Sequence, residues 1–184
     1  MKILFFLLAI ISFSFSSNLS TLYKMYERQE YQKGCDYGRK YLFKYKNIDN
    51  EKYLTLYGLS CLETDNLDRI TLPIIHLKST KSARENSSYF ATILLQKQLL
   101  FQSLVDNKKL VDLHLPKTNF ILSEIFNLFI EKKFIKKENI YRFNKTKREN
   151  IKYRLYLEEG KKSQKNMIVD IYKDDKFIKR HRYK

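Results

Sequence analysis

Apolar residues recur at helical spacing over the first two thirds of the chain, up to about residue 130. Tyr31, Cys35, Gly38 and Leu42, for example, follow the i, i+4, i+7, i+11 spacing of one helix face. We therefore expect a series of helices over the following ranges: 18–46 in two pieces, 53–62, 67–77, 89–105 as the longest, and 120–129.

Polar and turn-forming residues set the expected helix boundaries. Asn50 follows a turn signal at 47–50 and is a good N-cap for the next helix. Residues 78–88 are polar and predict a loop, and Thr118 or Asn119 is the expected cap of the last helix. Pro73 fits either the first turn of its helix or a kink.

The pattern changes to that of β-strands after about residue 134. Residues 151–157 alternate apolar and polar side chains, and 167–172 is rich in strand-forming residues. A turn at Asp174-Asp175 predicts a hairpin that sets Asp170 opposite Lys179 and Ile171 opposite Ile178. With 139–144 as an optional fourth strand, we expect a three- or four-stranded antiparallel meander.

The overall prediction is an α+β protein made of stacked helical hairpins over 17–134 and a basic β-meander over 135–184. Residues 1–16 have the features of a secretory signal peptide: a basic Lys2, an apolar run from Ile3 to Ile11, and small residues before a cleavage point at Ser16. The alternative is an uncleaved anchor, but the apolar run from Ile3 to Phe15 is shorter than the roughly 20 residues of a spanning helix. We expect an exported protein, either periplasmic or secreted.

Residues 20–80 contain two related segments. Residues 30–34 (EYQKG) place an aromatic residue three positions before a small one, and residues 65–70 (DNLDRI) follow about 36 positions later. In this respect the region resembles tetratricopeptide repeats, whose period is about 34 residues. Tyr41 and Ile70 are large where that family has small residues. The resemblance implies binding of a protein or peptide on a concave helical face.

Cys35 and Cys61 are the two cysteines of the chain, and in an exported protein an even number favours a disulfide. In an antiparallel helical hairpin centred near residue 48, Cys35 faces Cys61 and Gly38 faces Gly58. Two opposed glycines would let the helices approach closely enough for the bond. The alternative is a pair of buried thiols that act as small hydrophobic groups.

Positive charge is concentrated at one end of a chain whose net charge is +16. Residues 17–131 contain 16 basic and 13 acidic residues, whereas 132–184 contain 19 basic and 7 acidic ones. The residues expected to contact an anionic surface lie on the predicted strands: Lys152, Arg154, Lys179, Arg180 and Arg182. An exported protein meets anionic envelope polymers or lipid headgroups more readily than nucleic acid. The alternative is a solvated sheet face in a lysine-rich protein.

No motif in the sequence predicts a catalytic, cofactor or metal site. Gly160-Lys161-Lys162-Ser163 lacks the earlier glycine of a phosphate-binding loop, because Leu155 occupies that position. His76, His114 and His181 are far apart, and no Cys-x-x-Cys pair occurs. We expect a non-enzymatic interaction protein of the cell envelope. The alternative is a small secreted basic hydrolase or nuclease-like toxin that uses histidine as an acid or base.

Overall fold

The computed structural model describes residues 17–111, 113–144, 150–160 and 164–184. Six helices are followed by an antiparallel sheet, which confirms the α+β class and the C-terminal meander. The helices are α1 (Asn18–Glu27), α2 (Tyr31–Tyr41), α3 (Glu51–Glu63), α4 (Thr71–His76), α5 (Lys81–Asp106) and α6 (Ile121–Ile130). The strands are β1 (Ile135–Lys137), β2 (Ile140–Asn144), β3 (Ile151–Glu159), β4 (Lys165–Lys173) and β5 (Lys176–Tyr183). The expected signal peptide at residues 1–16 lies outside the described residues.

Helices α2 and α3 form the central antiparallel hairpin, and α1 packs against both of them. The turn between α2 and α3 ends as predicted, because the Asn50 side chain accepts a hydrogen bond from the Tyr53 N–H at 3.1 Å. Pro73 lies in the first turn of α4, where its missing N–H costs no helical hydrogen bond.

The longest helix begins earlier than the sequence predicts. Residues 81–88 belong to α5, so the prediction of a loop over 78–88 is wrong beyond Thr80. Thr80 is the N-cap and accepts a hydrogen bond from the Ala83 N–H at 3.2 Å. The carboxylate of Glu51 accepts further hydrogen bonds from the residues before the helix, among them the Ser79 N–H at 2.6 Å. The Thr80 hydroxyl and the carboxylate of the distant Glu51 therefore fix the start of a helix whose first turns lack an apolar pattern.

The start of α6 also differs from the prediction. Its N-cap position is Phe120 rather than Thr118 or Asn119. The hydroxyl of Ser123 accepts the Thr118 N–H at 2.9 Å, and the Thr118 hydroxyl accepts the Phe120 N–H at 3.3 Å. Two hydroxyl groups thus fix the approach to the helix without a side-chain cap at its first residue.

The sheet has the strand order β1-β2-β3-β4-β5, with every neighbouring pair antiparallel. It has five strands instead of three or four, because the short β1 pairs with β2. Its inner face joins the helical core through buried side chains: Tyr141, Phe143, Tyr153, Leu155, Met167, Val169 and Tyr183. The alternate residues form what we call the outer face, which points away from the helices.

A β-bulge between β4 and β5 changes the predicted register. The hairpin starts as expected, with Tyr172 paired to Phe177, but the register shifts between Ile171 and Tyr172. As a result Asp170 lies opposite Arg180, not Lys179, and Ile171 lies opposite Lys179, not Ile178. One extra residue in β5 exchanges the two faces of that strand.

Asp65 joins the helices to the last strand. It occupies the turn after α3 with a left-handed backbone, φ 61°. Its carboxylate contacts Nδ1 of His181 at 2.7 Å and accepts the Arg182 N–H at 3.0 Å. The adjacent Tyr183 is fully buried. The sheet is therefore fastened to the helical part by contacts across more than a hundred residues.

Candidate functional site

Two surfaces of the described chain have features that suit binding. The first is an open groove of about 1230 Å³ between α1, α3 and the start of α5. Its lining combines the apolar side chains of Leu19 and Leu56 and two tyrosine rings with hydroxyl, amide and charged groups. Among the lining residues are Leu19, Tyr23, Tyr45, Lys46, Asp49, Glu51, Lys52, Thr55, Leu56, Thr80 and Asn86.

A strained loop places an aromatic side chain beside this groove. Tyr45 and Lys46 both have left-handed backbones, with φ 54° and 57°. The buried amide of Asn47 donates to the Tyr41 carbonyl at 2.9 Å and so holds the loop in place. The Tyr45 side chain is 81% exposed. Exposed aromatic rings on held loops are typical contact points for partners.

The charge of Glu51 is fixed at the end of the groove. Its carboxylate accepts hydrogen bonds from the Thr80 hydroxyl at 2.7 Å and from the N–H groups of 78–80 at 2.6–3.2 Å. Bonding by the Thr80 hydroxyl and the Ser79 N–H lowers the pKa of Glu51 to about 2. Lys46 and Lys52 line the same groove, which therefore presents charges of both signs.

The predicted disulfide is present and lies in the core. Cys35 and Cys61 are bonded across α2 and α3, with Cα atoms 4.8 Å apart. Each of the two glycines, Gly38 and Gly58, lies against an aromatic ring. Gly38 lies against the Tyr57 ring, and a Cβ on Gly58 would lie 2.5 Å from the Phe90 ring. The two glycines make room for aromatic rings, one of them from α5.

The second surface is the outer face of the sheet, where Asp170 is the centre of a polar network. This carboxylate is 3% exposed and accepts two hydrogen bonds from the Arg180 guanidinium, at 2.7 and 3.0 Å. The Tyr156 hydroxyl donates to Asp170 at 3.0 Å and accepts from Arg180 at 2.8 Å. Burial and the hydrogen bond to Asp170 raise the pKa of Tyr156. Arg182 binds Glu158 at 2.7 Å.

Two arginines on this face oppose each other without a carboxylate between them. Arg142 on β2 and Arg154 on β3 are cross-strand partners, and both are exposed. Arg154 stacks over the Tyr172 ring at 4.3 Å. Within the described ranges, Arg142 has no acidic partner. Like charges directly opposite each other destabilise a sheet, so this pair is a candidate anion site.

The five basic residues predicted from the sequence lie on two different faces of the sheet. Arg154, Arg180 and Arg182 lie on the outer face, and Lys152 joins them there while it binds Asp175 at 2.6 Å. Lys179 is paired with Ile171 and lies on the opposite face, because the bulge reverses its direction. Arg180 and Arg182 are engaged by carboxylates of the protein itself. Arg142, which the sequence analysis did not select, belongs to the group instead.

The histidines do not come together as an acid–base pair in the described structure. His181 contacts Asp65, but its ring is largely buried and lies parallel to the Tyr183 ring at 6.0 Å. It fastens the sheet to the helices and offers little open surface to a substrate. Residues 161–163 of the Gly160-Lys161-Lys162-Ser163 segment lie outside the described residues.

The described residues contain no group of three or more histidine, cysteine or acidic side chains arranged to hold a metal ion. None of their helices combines the length and apolar character needed to cross a bilayer.

No protein-family model, curated protein or solved structure matches this sequence.

Proposed function

We propose that this chain is an exported, non-enzymatic interaction protein of the cell envelope, and that its helical groove binds an extended segment of a protein partner. The observation that carries the proposal is the open groove of about 1230 Å³ lined by α1, α3 and α5. Alternate helices line it, which is the arrangement by which stacked helical hairpins form a concave binding face.

The composition of the groove suits a peptide better than a small apolar molecule. Its lining includes Leu19 and Leu56, which can contact an apolar side chain of a partner. Glu51 and Lys52 in the same lining offer charges of both signs, and Tyr45 offers an exposed ring. Peptide backbone and mixed side chains need this combination of apolar contact and hydrogen bonding.

Export is supported by two independent features. Residues 1–16 have the composition of a signal peptide. The Cys35–Cys61 disulfide fits an oxidising compartment, since such bonds rarely persist in a reducing cytoplasm. Together they favour the periplasm or the exterior as the place where the groove meets its partner.

Site-specific photo-crosslinking in the native cell tests this proposal. A photoreactive phenylalanine replaces Tyr45 or Tyr23 in the groove, and Ile75, which is exposed on α4, serves as the control position. We expect both groove positions to crosslink the same protein and the control position not to do so. The change Lys52→Glu should reduce the crosslink, whereas Lys40→Glu on exposed α2 surface should leave it unchanged.

Several outcomes would overturn the proposal. One is an equal crosslinking pattern from Tyr45, Tyr23 and Ile75. Another is a purified protein that turns over a substrate and loses this activity with the groove substitutions. A cytoplasmic location of the full-length chain with two free thiols would contradict the exported part.

A further inference from the structure

The outer face of the sheet combines excess positive charge with exposed apolar side chains at its two edges. We propose that this face binds the surface of an anionic phospholipid bilayer. The inference is independent of the groove, because it uses a different part of the molecule.

The charge of the face is unbalanced, and its acidic groups are already engaged. The outer face has two acidic side chains, Glu158 and Asp170, which are bound by Arg182 and Arg180. Its six basic side chains are Lys137, Arg142, Lys152, Arg154, Arg180 and Arg182. Lys152 is paired with Asp175, and Arg154 lies opposite Asp170, whose carboxylate is bound by Arg180. Among the positions that the structure describes, the basic groups of this face without a salt bridge are therefore Lys137, Arg142 and Arg154, on its β1–β3 side. An anionic surface is its electrostatic complement.

Arg142 and Arg154 can both bind phosphate groups of a bilayer surface. They are directly opposite on neighbouring antiparallel strands, so their Cα atoms are roughly 4.5–5.5 Å apart. Each guanidinium can donate a pair of hydrogen bonds to phosphate oxygens, and that of Arg154 does so from its position over the Tyr172 ring. A bound phosphate would also relieve their mutual repulsion.

Large apolar side chains flank this charge on both sides. Ile135 on β1 is 69% exposed, and it is the cross-strand partner of Arg142. Across the sheet, Phe177 and Ile178 at the start of β5 are 54% and 58% exposed. Exposure of these apolar side chains to water is energetically unfavourable. At a bilayer they can enter the interfacial region while the arginines contact headgroups, as in other proteins that bind membranes peripherally.

The arrangement of the aromatic rings favours a bilayer over a nucleic acid. Stacking of bases requires a free ring face. Tyr172 is covered by the Arg154 guanidinium at 4.3 Å and contacts the Phe177 ring edge-on at 5.8 Å. In the adjacent turn, Lys152 offsets the charge of Asp175, and Asp174 accepts a hydrogen bond from the Asn150 amide.

Vesicle binding of the purified exported form, from which residues 1–16 have been removed, tests the proposal, because the apolar run in those residues would itself enter any vesicle. Phosphatidylcholine vesicles are compared with vesicles in which about one third of the lipid is phosphatidylglycerol. We expect binding only to the anionic vesicles, and weaker binding as salt increases. Arg142→Gln and Arg154→Gln should each lower the partition coefficient about fivefold. Phe177→Ser should lower it as well, with no change of net charge.

The matched control is Lys179→Gln, which removes one positive charge from the opposite face of β5. It should lower the partition coefficient clearly less than Arg154→Gln does. All the substituted residues are exposed, and thermal unfolding of each variant verifies that the fold is retained.

Four results would overturn the inference. Equal binding to neutral and anionic vesicles would exclude the electrostatic complement. A loss with Lys179→Gln equal to that with Arg154→Gln would show that the face itself has no role. If inorganic phosphate or a short DNA duplex abolished vesicle binding and Phe177→Ser had no effect, the positive charge of the face would serve to bind a soluble anion and not a bilayer. Absence of binding at low salt would remove the site. Lys52→Glu in the groove should not affect vesicle binding, which separates this proposal from the proposed function.

Discussion

Reduction of the Cys35–Cys61 disulfide should destabilise the protein by an amount that follows from the length of the loop it closes. The bond joins residues 26 positions apart. In the chain-entropy description, opening a loop of this length costs about 3.5 kcal/mol of unfolding free energy, because the denatured chain regains conformational freedom. For a protein of this size that corresponds to a decrease of about 10 °C in the melting temperature.

The assay is thermal and urea unfolding, followed by circular dichroism. Both cysteines are fully buried, so the reduced protein is prepared by unfolding in reductant and refolding with reductant present. Reduced wild-type protein keeps all side-chain atoms of the core and reports the loss of the crosslink alone. The double change Cys35→Ala and Cys61→Ala adds the cost of a small cavity, and it should be somewhat less stable than the reduced protein.

The urea dependence gives a second, independent check. A denatured chain without the crosslink is more expanded, so the slope of unfolding free energy against urea should increase on reduction. Equal melting temperatures for the oxidised and reduced proteins would refute the reasoning. An unchanged slope would show that the denatured chain stays compact and that the entropy argument does not apply.

Three further predictions concern the packing, the helix cap and the link between helices and sheet. Gly58→Ala should lose about 1–3 kcal/mol in urea unfolding, because its Cβ would lie 2.5 Å from the buried Phe90 ring. Gly34→Ala should lose less, because its Cβ would meet the Ser60 hydroxyl at 2.8 Å instead of a ring; the loss would come from disturbing the hydrogen bond that this hydroxyl donates to the Leu56 carbonyl. The pKa of Glu51 is lowered from 4.5 to about 2, so its stabilising effect is present above pH 4.5 and is lost as the pH falls towards 2. The unfolding free energies of wild type and Glu51→Gln should therefore differ at pH 7 and converge between pH 4.5 and 2. A difference that stays constant with pH would contradict the role of the Glu51 carboxylate at the start of α5. Asp65→Asn keeps a residue that tolerates the left-handed backbone but weakens its two hydrogen bonds to β5, so it should cost about 1–2 kcal/mol; stability equal to wild type would show that these contacts are not needed.

Local pattern predicted much of this fold, and long-range contacts account for what it missed. The α2–α3 hairpin and the disulfide follow from helical spacing and from a turn whose cap, Asn50, is three residues from its partner. The first turns of α5 have few apolar residues, and the Thr80 cap is itself held by Glu51, which lies 29 positions earlier in the chain. A pattern within a few neighbouring residues cannot reveal the contact between Glu51 and Thr80.

The candidate sites show the same division. A basic face on the strands was predicted, but a single bulge decided which side chains share it. That bulge moved Lys179 to the inner side and set Arg180 against Asp170. The sequence predicts β2 only as an optional strand, so Arg142 is not among the predicted contact residues. The strict alternation of Arg142 with the apolar Tyr141 and Phe143 is nevertheless a signal that Arg142 points outwards. The helical groove was not visible in the sequence, since its lining comes from three separate helices.

The contact between Asp65 and β5 affects when the chain can fold during its synthesis. Asp65 and Arg182 are separated by 117 residues. At typical rates of translation, about 6–20 s pass before the ribosome adds the residues that complete this contact. During that interval the fully buried position of Tyr183 is empty and the sheet lacks an edge strand. Under the proposed export, such a delay would keep the chain unfolded for translocation, because its native structure could form only after β5 had been synthesised.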